Sequence, residues 1–185
     1  MSILGVVHLG FGMLAILLGG TIFRITKGTQ LHRLLGYGYV VTMLGLNITA
    51  LAIYRVFGVF GPFHVLAIVS LATLVAGFVP VYFKWPREDW LLWHYNGMCW
   101  SYVGLLAATA AEIAVRLPFG DGFGFVFGLA VFVSSLIVVG IGASVLNRYR
   151  DQILDRFKRP LEKPVKTLPL TEATGHSSSK AHQAS

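Results

Sequence analysis

Apolar runs about twenty residues long, with almost no charge inside them, constrain this chain more than any other feature. Between Leu34 and Phe83 the only charged residue is Arg55. A bilayer core about 30 Å thick takes about twenty helical residues to cross. Inside hydrocarbon every backbone N–H and C=O must be satisfied by the structure itself, so such runs form helices or closed barrels. Barrel strands alternate apolar and polar residues in segments of about ten, and these runs do not alternate. The chain reads as an all-α membrane protein.

The composition agrees. Of the 185 residues, 55% are hydrophobic and 12% are charged, where a soluble domain carries about 25% charged residues. The formal charge of +7 does not point to nucleic acid. The basic residues lie in loops and a tail, with no soluble fold to gather them into a patch. Cys99 is the one cysteine, which excludes a disulfide within the chain and a Cys-x-x-Cys metal or haem-attachment motif. It reads as a small apolar residue in a helix.

Five helices are expected. The first spans Ile3 to Phe23. No basic residue precedes it and it is too long for a signal core, so it reads as a retained helix. A basic loop, Arg24 to Arg33, follows. The second helix has its apolar core from Leu34 to Tyr54, and Thr29 is placed to cap it so that it begins before His32. Pro62 suits the first turn of a third helix ending near Phe83, where its missing N–H costs nothing. Pro86 and the acidic pair Glu88 and Asp89 precede a fourth, about Trp90 to Val115. A fifth runs from about Phe123 to Leu146, and the Asn147–Arg159 stretch prolongs it into the headgroup zone. Two parts result: a transmembrane domain over 1–146, with helices one to four as a bundle, and a basic cytoplasmic tail over 147–185. After about residue 160 the tail has too little apolar surface to fold and is expected to be disordered.

Basic residues set the orientation. Arg24, Lys27 and Arg33 lie in the first loop and Lys84 and Arg87 in the third. All the others follow Leu146, except Arg55 in the second loop and Arg116 in the fourth. Five crossings with the N-terminus outside and the C-terminus cytoplasmic fit that split. Trp85, Trp90 and Trp93 then cluster at the inner interface as an aromatic belt.

With this topology the histidines of the apolar region acquire depths. His8 and His64 lie near the outer ends of helices one and three. His32 and His94 lie near the inner ends of helices two and four. About 15 residues at 1.5 Å each separate the two levels by roughly 20 Å. Alternate helices of a four-helix bundle face each other, so each pair can clasp one cofactor from opposite sides. Haem with two histidine ligands fits that arrangement, giving up to two b-type haems and an electron path across the membrane, with a quinone or another redox partner. Glycine beside a ligand lets a haem plane approach the backbone, and Gly12, Gly36 and Gly97 follow His8, His32 and His94 on the same helix faces. His64 has only Gly61, three residues before it. The alternatives are a histidine metal site or transporter taking zinc, and an accessory or structural membrane protein whose histidines donate to carbonyls or headgroups.

Other polar residues are assigned lesser roles. Glu112 is expected to pair with Arg116 one turn on, with a quinone site beside it as the alternative. Asn47, near mid-membrane, is expected to hydrogen-bond between helices. Asn96, Ser101 and Tyr102 are candidates to support the His94 level, and Arg24, Lys27 and Arg33 to pair with haem propionates. The chain contains no Ser/His/Asp set, phosphate-binding loop or nucleotide fingerprint, so hydrolase and kinase chemistry have no basis.

Three stretches carry a resemblance: Gly-Thr-Gln-Leu-His-Arg-Leu-Leu-Gly-Tyr at 28–37, Gly-Pro-Phe-His at 61–64 and Trp-His-Tyr-Asn-Gly-Met at 93–98. On these the chain resembles a bacterial family of predicted multi-pass membrane proteins of unknown function, over roughly Val6 to Ala111. The resemblance implies a bacterial inner-membrane location and supplies no activity. In architecture alone, the alternating histidine pairs look like those of the two-haem transmembrane cytochromes b, an analogy of spacing.

Overall fold

The computed structural model describes residues 2–54, 58–114 and 125–158. The expected roles of Arg55, Arg116 and the tail beyond Lys158 fall outside them. Five helices follow one another: α1 (Ile3–Arg24), α2 (Gln30–Ala52), α3 (Pro62–Phe83), α4 (Trp90–Ala114) and α5 (Phe125–Lys158). Their ends have local causes. The Ser2 hydroxyl accepts the Gly5 N–H at 3.2 Å and starts α1. The Thr29 hydroxyl accepts the His32 N–H at 3.1 Å and starts α2 two residues before His32, as its sequence position suggested. Pro62 opens α3, and Lys84 ends it in the left-handed conformation with φ 52°. The last helix continues through the polar stretch after Leu146 to Lys158.

Four of the five helices are long and apolar enough to cross a membrane: α1, α2, α3 and α5. Their outward residues match, since Leu17, Val69, Phe132, Leu136 and Ile141 are all exposed. Apolar surface on this scale marks a membrane-facing protein. α4, which carries His94, Asn96, Ser101 and Glu112, is not among those four, and it is the helix with the most neighbours. Among the described residues it packs against α1, α3 and α5, whereas α1 packs on α2 and α4. A helix enclosed by neighbours needs less lipid-compatible surface, and its polar groups find partners inside.

Helices α1 to α4 form a ring in chain order, with α5 applied to the outside of α4. Among the described residues α2 and α4 make no close backbone approach, so they face each other diagonally. The centre is filled by Ala15, Tyr39, Met43, Leu74 and Leu105, drawn from all four helices. Lipid offers apolar side chains no worse a solvent than the protein does, so close packing and interhelical hydrogen bonds hold such bundles together. Five bonds do so among the described residues, one of them the His8–Thr49 pair that joins α1 to α2 at 2.9 Å. Tyr39 joins Ser101 at 3.0 Å, linking α2 to α4, and the Tyr102 hydroxyl donates to the Ile16 carbonyl at 3.2 Å, linking α4 to α1. The Tyr95 hydroxyl reaches the Leu146 carbonyl at 3.3 Å, and His94 reaches the Gly77 carbonyl at 2.9 Å.

Asn47 corrects an expectation. It is 3% exposed, yet its amide donates to Met43 of its own helix at 2.8 Å. A buried donor can be satisfied one turn back along the same helix, so no partner helix is needed.

Candidate functional site

A tight contact of α3 with α4 shapes the end of the bundle where His32 and His94 lie. Gly77 and Gly97 meet backbone to backbone: a Cβ on Gly77 would lie 2.6 Å from the Met98 nitrogen, and one on Gly97 would overlap the Gly77 backbone. Small residues permit such crossings in membrane helices. This contact brings His94, three residues before Gly97, within hydrogen-bond distance of the Gly77 carbonyl. A carbonyl only accepts, so Nδ1 of His94 carries the proton. The neutral ring keeps its free lone pair on Nε2. Histidines that bind metals are oriented in this way, by a carbonyl on the other ring nitrogen.

Across the cavity stands His32 of α2. The His32 and His94 ring centres are 6.3 Å apart and their planes are perpendicular. Nδ1 of His32 is buried and has no hydrogen-bond partner. Both rings line a cavity of about 650 Å³, within the roughly 300–1,000 Å³ range of small-molecule and cofactor sites. Tyr39, Val40, Phe78, Met98, Cys99 and Tyr102 give it mostly apolar walls, while Lys27, Arg33 and Lys84 are its charged lining residues, Arg33 and Lys84 at the exposed mouth. Cys99 is buried, as expected, and is one of these wall residues.

The glycines beside the histidines separate into different roles. Gly36 has open space where a Cβ would go and lines the cavity, as the cofactor argument requires. Gly97 does not, because Gly77 of the next helix occupies that space. Gly12 packs against Leu46 of α2 at an ordinary 3.5 Å. One of the three glycines therefore leaves room for a ligand, and the other two serve helix packing.

His8 and His64 are held separately. Nδ1 of His8 lies 2.9 Å from the Thr49 hydroxyl. That hydroxyl already donates to the Gly45 and Leu46 carbonyls, so His8 is the donor and the pair ties α1 to α2. Glu112 of α4 lies within electrostatic reach of the His8 ring. His64 is 3% exposed and packs against the Tyr54 and Phe60 rings, with centre distances of 4.5 and 5.0 Å. Its Nδ1 accepts the Gly61 N–H at 3.1 Å, a cap on α3. The neutral ring then carries its proton on Nε2, which is buried without a partner. Among the described residues no ring contact joins His8 to His64. Only the inner pair is brought together.

Of the residues expected to support the His94 level, Ser101 and Tyr102 do make helix-to-helix bonds, and Tyr102 is a cavity wall. The tryptophan belt divides: Trp85 and Trp93 are exposed, while Trp90 lines the cavity mouth beneath the Lys84 ammonium, 3.8 Å from its ring centre. No group of three or more His, Cys, Asp or Glu that could hold a metal ion is found among the described residues.

A family model described as "Predicted membrane protein (DUF2306)" matches residues 5–154. The chain belongs to that family. The match covers the ring from Gly5 onward and most of α5, and the cavity lies wholly within it. The family description agrees with the apolar helices in making this an integral, multi-pass membrane protein. No curated protein and no solved structure matches the chain.

Proposed function

We propose that this DUF2306 protein is a haem-binding electron carrier of the membrane, with one b-type haem held between His32 and His94. The observation that carries the reading is the 6.3 Å separation of those two rings across a cavity. An iron bound by two imidazoles at about 2 Å each, with each ring centre about 1 Å behind its nitrogen, sets the centres about 6 Å apart. Three further features favour it. The His94 lone pair is left on Nε2, Gly36 leaves space at the cavity wall, and the walls are apolar and aromatic.

The outer pair is left out of this proposal. Iron at Nε2 of His64 requires the proton to move to Nδ1, which faces the Gly61 N–H; the cap and the ligand role exclude each other. A zinc site is less well served, because zinc takes three or four protein ligands and the inner level offers two histidines.

Haem bound here supplies a one-electron couple at iron. The chain would hold it with the His32 and His94 imidazoles from opposite helices, a carbonyl that fixes the His94 tautomer, and mostly apolar walls. The charge pattern favours the inner end as the cytoplasmic one, and the family resemblance favours the bacterial inner membrane.

The test is a reduced-minus-oxidised visible spectrum of the detergent-purified protein, with haem content by pyridine haemochrome. The reading expects b-type bands and about one haem per chain. A colourless protein from haem-sufficient cells overturns it.

A further inference from the structure

We propose that the cavity mouth is a recognition site for an amphiphile with two carboxylates on one edge, held by Lys27, Arg33 and Lys84. The inference rests on the cavity assigned above and deepens the haem reading, since haem presents two propionates along one edge of an apolar plane.

Charge balance is the first argument. The three cations border a mostly apolar cavity, and no aspartate or glutamate is among the residues lining it. Among the described residues no ion pair joins any of the three to a carboxylate. Arg33 and Lys84 are exposed and have no hydrogen-bond acceptor among the described residues, so both are free to receive an anion. Retention of basic residues on the cytoplasmic side accounts for their presence at this end of the bundle. It does not account for three of them converging on one opening.

Four helix ends meet around this opening: α2 and α4 begin here and α1 and α3 end here. Their dipoles oppose one another, so the positive field is that of the three side chains.

Two of the cations are held in place. The Lys27 ammonium gives its three N–H donors to the carbonyls of Ile22, Phe23 and Ile25 at the end of α1, so it adds charge to the opening while Arg33 and Lys84 supply the free donors. Burial draws its pKa below the ordinary 10.5, a shift that an adjacent carboxylate would oppose. Lys84 is held over Trp90. The depth of the cavity beyond them, walled by Phe78, Met98 and Tyr102, requires the rest of the ligand to be apolar. One end charged and the remainder apolar defines the class.

The experiment uses the full chain in phosphatidylcholine nanodiscs, with empty nanodiscs as background. Metal-free protoporphyrin IX and its dimethyl ester are titrated by fluorescence. Neither forms an iron–histidine bond, so the assay reads the mouth and not the axial ligands. The expected result is a preference for the diacid of about tenfold or more, as charge-assisted bonds give. The Lys27→Gln, Arg33→Gln, Lys84→Gln triple variant should lose most of it, with helix content by circular dichroism unchanged. Arg33→Lys should retain much of it. Equal affinity for acid and ester in the wild type, an undiminished preference in the triple variant, or no binding of either probe overturns the proposal. A His32→Ala, His94→Ala double variant should lose haem but keep the diacid preference. If the wild type takes up no haem yet keeps that preference, the haem reading falls and the carboxylate site stands.

Discussion

The proton on Nδ1 of His94 points at the carbonyl of Gly77, 2.9 Å away on the neighbouring helix. That bond ties the chemistry of the cavity to the packing of α3 on α4, because it exists only while the two backbones touch at Gly77 and Gly97. Gly97→Ala and Gly77→Ala each place a methyl group against backbone that has no room for it. Overpacking of this kind costs about 1–3 kcal/mol. Both variants should melt earlier in detergent, and both should lower haem content or shift the haem bands through His94. Unchanged melting in both would contradict the close crossing.

Gly36 offers the converse. Its Cβ position opens into the cavity, so Gly36→Ala should leave thermal stability near wild type. Gly36→Leu should also fold, and should reduce ligand uptake by filling the space beside His32. Retention of full haem content in Gly36→Leu would show that the ligand lies elsewhere.

Tyr39 and Ser101 make an asymmetric pair. The Ser101 hydroxyl also donates to the Met98 carbonyl at 2.8 Å, which makes Tyr39 the donor between them. Tyr39→Phe removes a donor and leaves an acceptor that still has its own bond, a loss of about 0.5–1.5 kcal/mol. Ser101→Ala leaves a tyrosine hydroxyl buried among apolar side chains, a loss of about 1–3 kcal/mol. Chemical denaturation in micelles should rank Ser101→Ala as the less stable. The reverse order would mean that the hydroxyl of Tyr39 finds another acceptor.

The fold was legible to a useful degree before any coordinates, and the reasons are local. Thr29 and Pro62 announce helix starts through their own side chains and rings, and the apolar runs give helix lengths to within a few residues. What a helix touches was not legible. Spacing placed Gly97 on the face of His94, but only the crossing of α3 shows that Gly77 fills that face. Depth placed His8 and His64 at one level, but a level is not a contact. His64 turned back to cap its own helix, and His8 bonded to Thr49 of α2. The enclosure of α4 by α1, α3 and α5 belongs to tertiary structure. The charges at the cavity mouth were visible, as a basic loop and a Lys–Arg turn, though nothing in one dimension brings Lys27 and Lys84 to the same opening.

His64 gives a fourth expectation. Without its ring Nδ1, the Gly61 N–H at the start of α3 loses its acceptor. Such cap losses cost about 1 kcal/mol. His64→Ala should be destabilised by that order in thermal melts and should keep its haem.

Orientation is tested by reporter fusions. A fusion after Arg55 should report from outside the cytoplasm and a C-terminal fusion from inside. The opposite pair of signals would move the mouth of Lys27, Arg33 and Lys84 to the outer face.

Haem content across the four single histidine-to-alanine variants, measured against folded protein, tests the central claim most directly. His32→Ala and His94→Ala should each lose nearly all of the haem, because six-coordinate iron needs both rings, and the double variant should lose no more than either alone. His8→Ala and His64→Ala should retain it. Loss of about half the haem in every single variant would instead mean two sites and a working outer pair, and retention in all four would mean that His32 and His94 bind no iron.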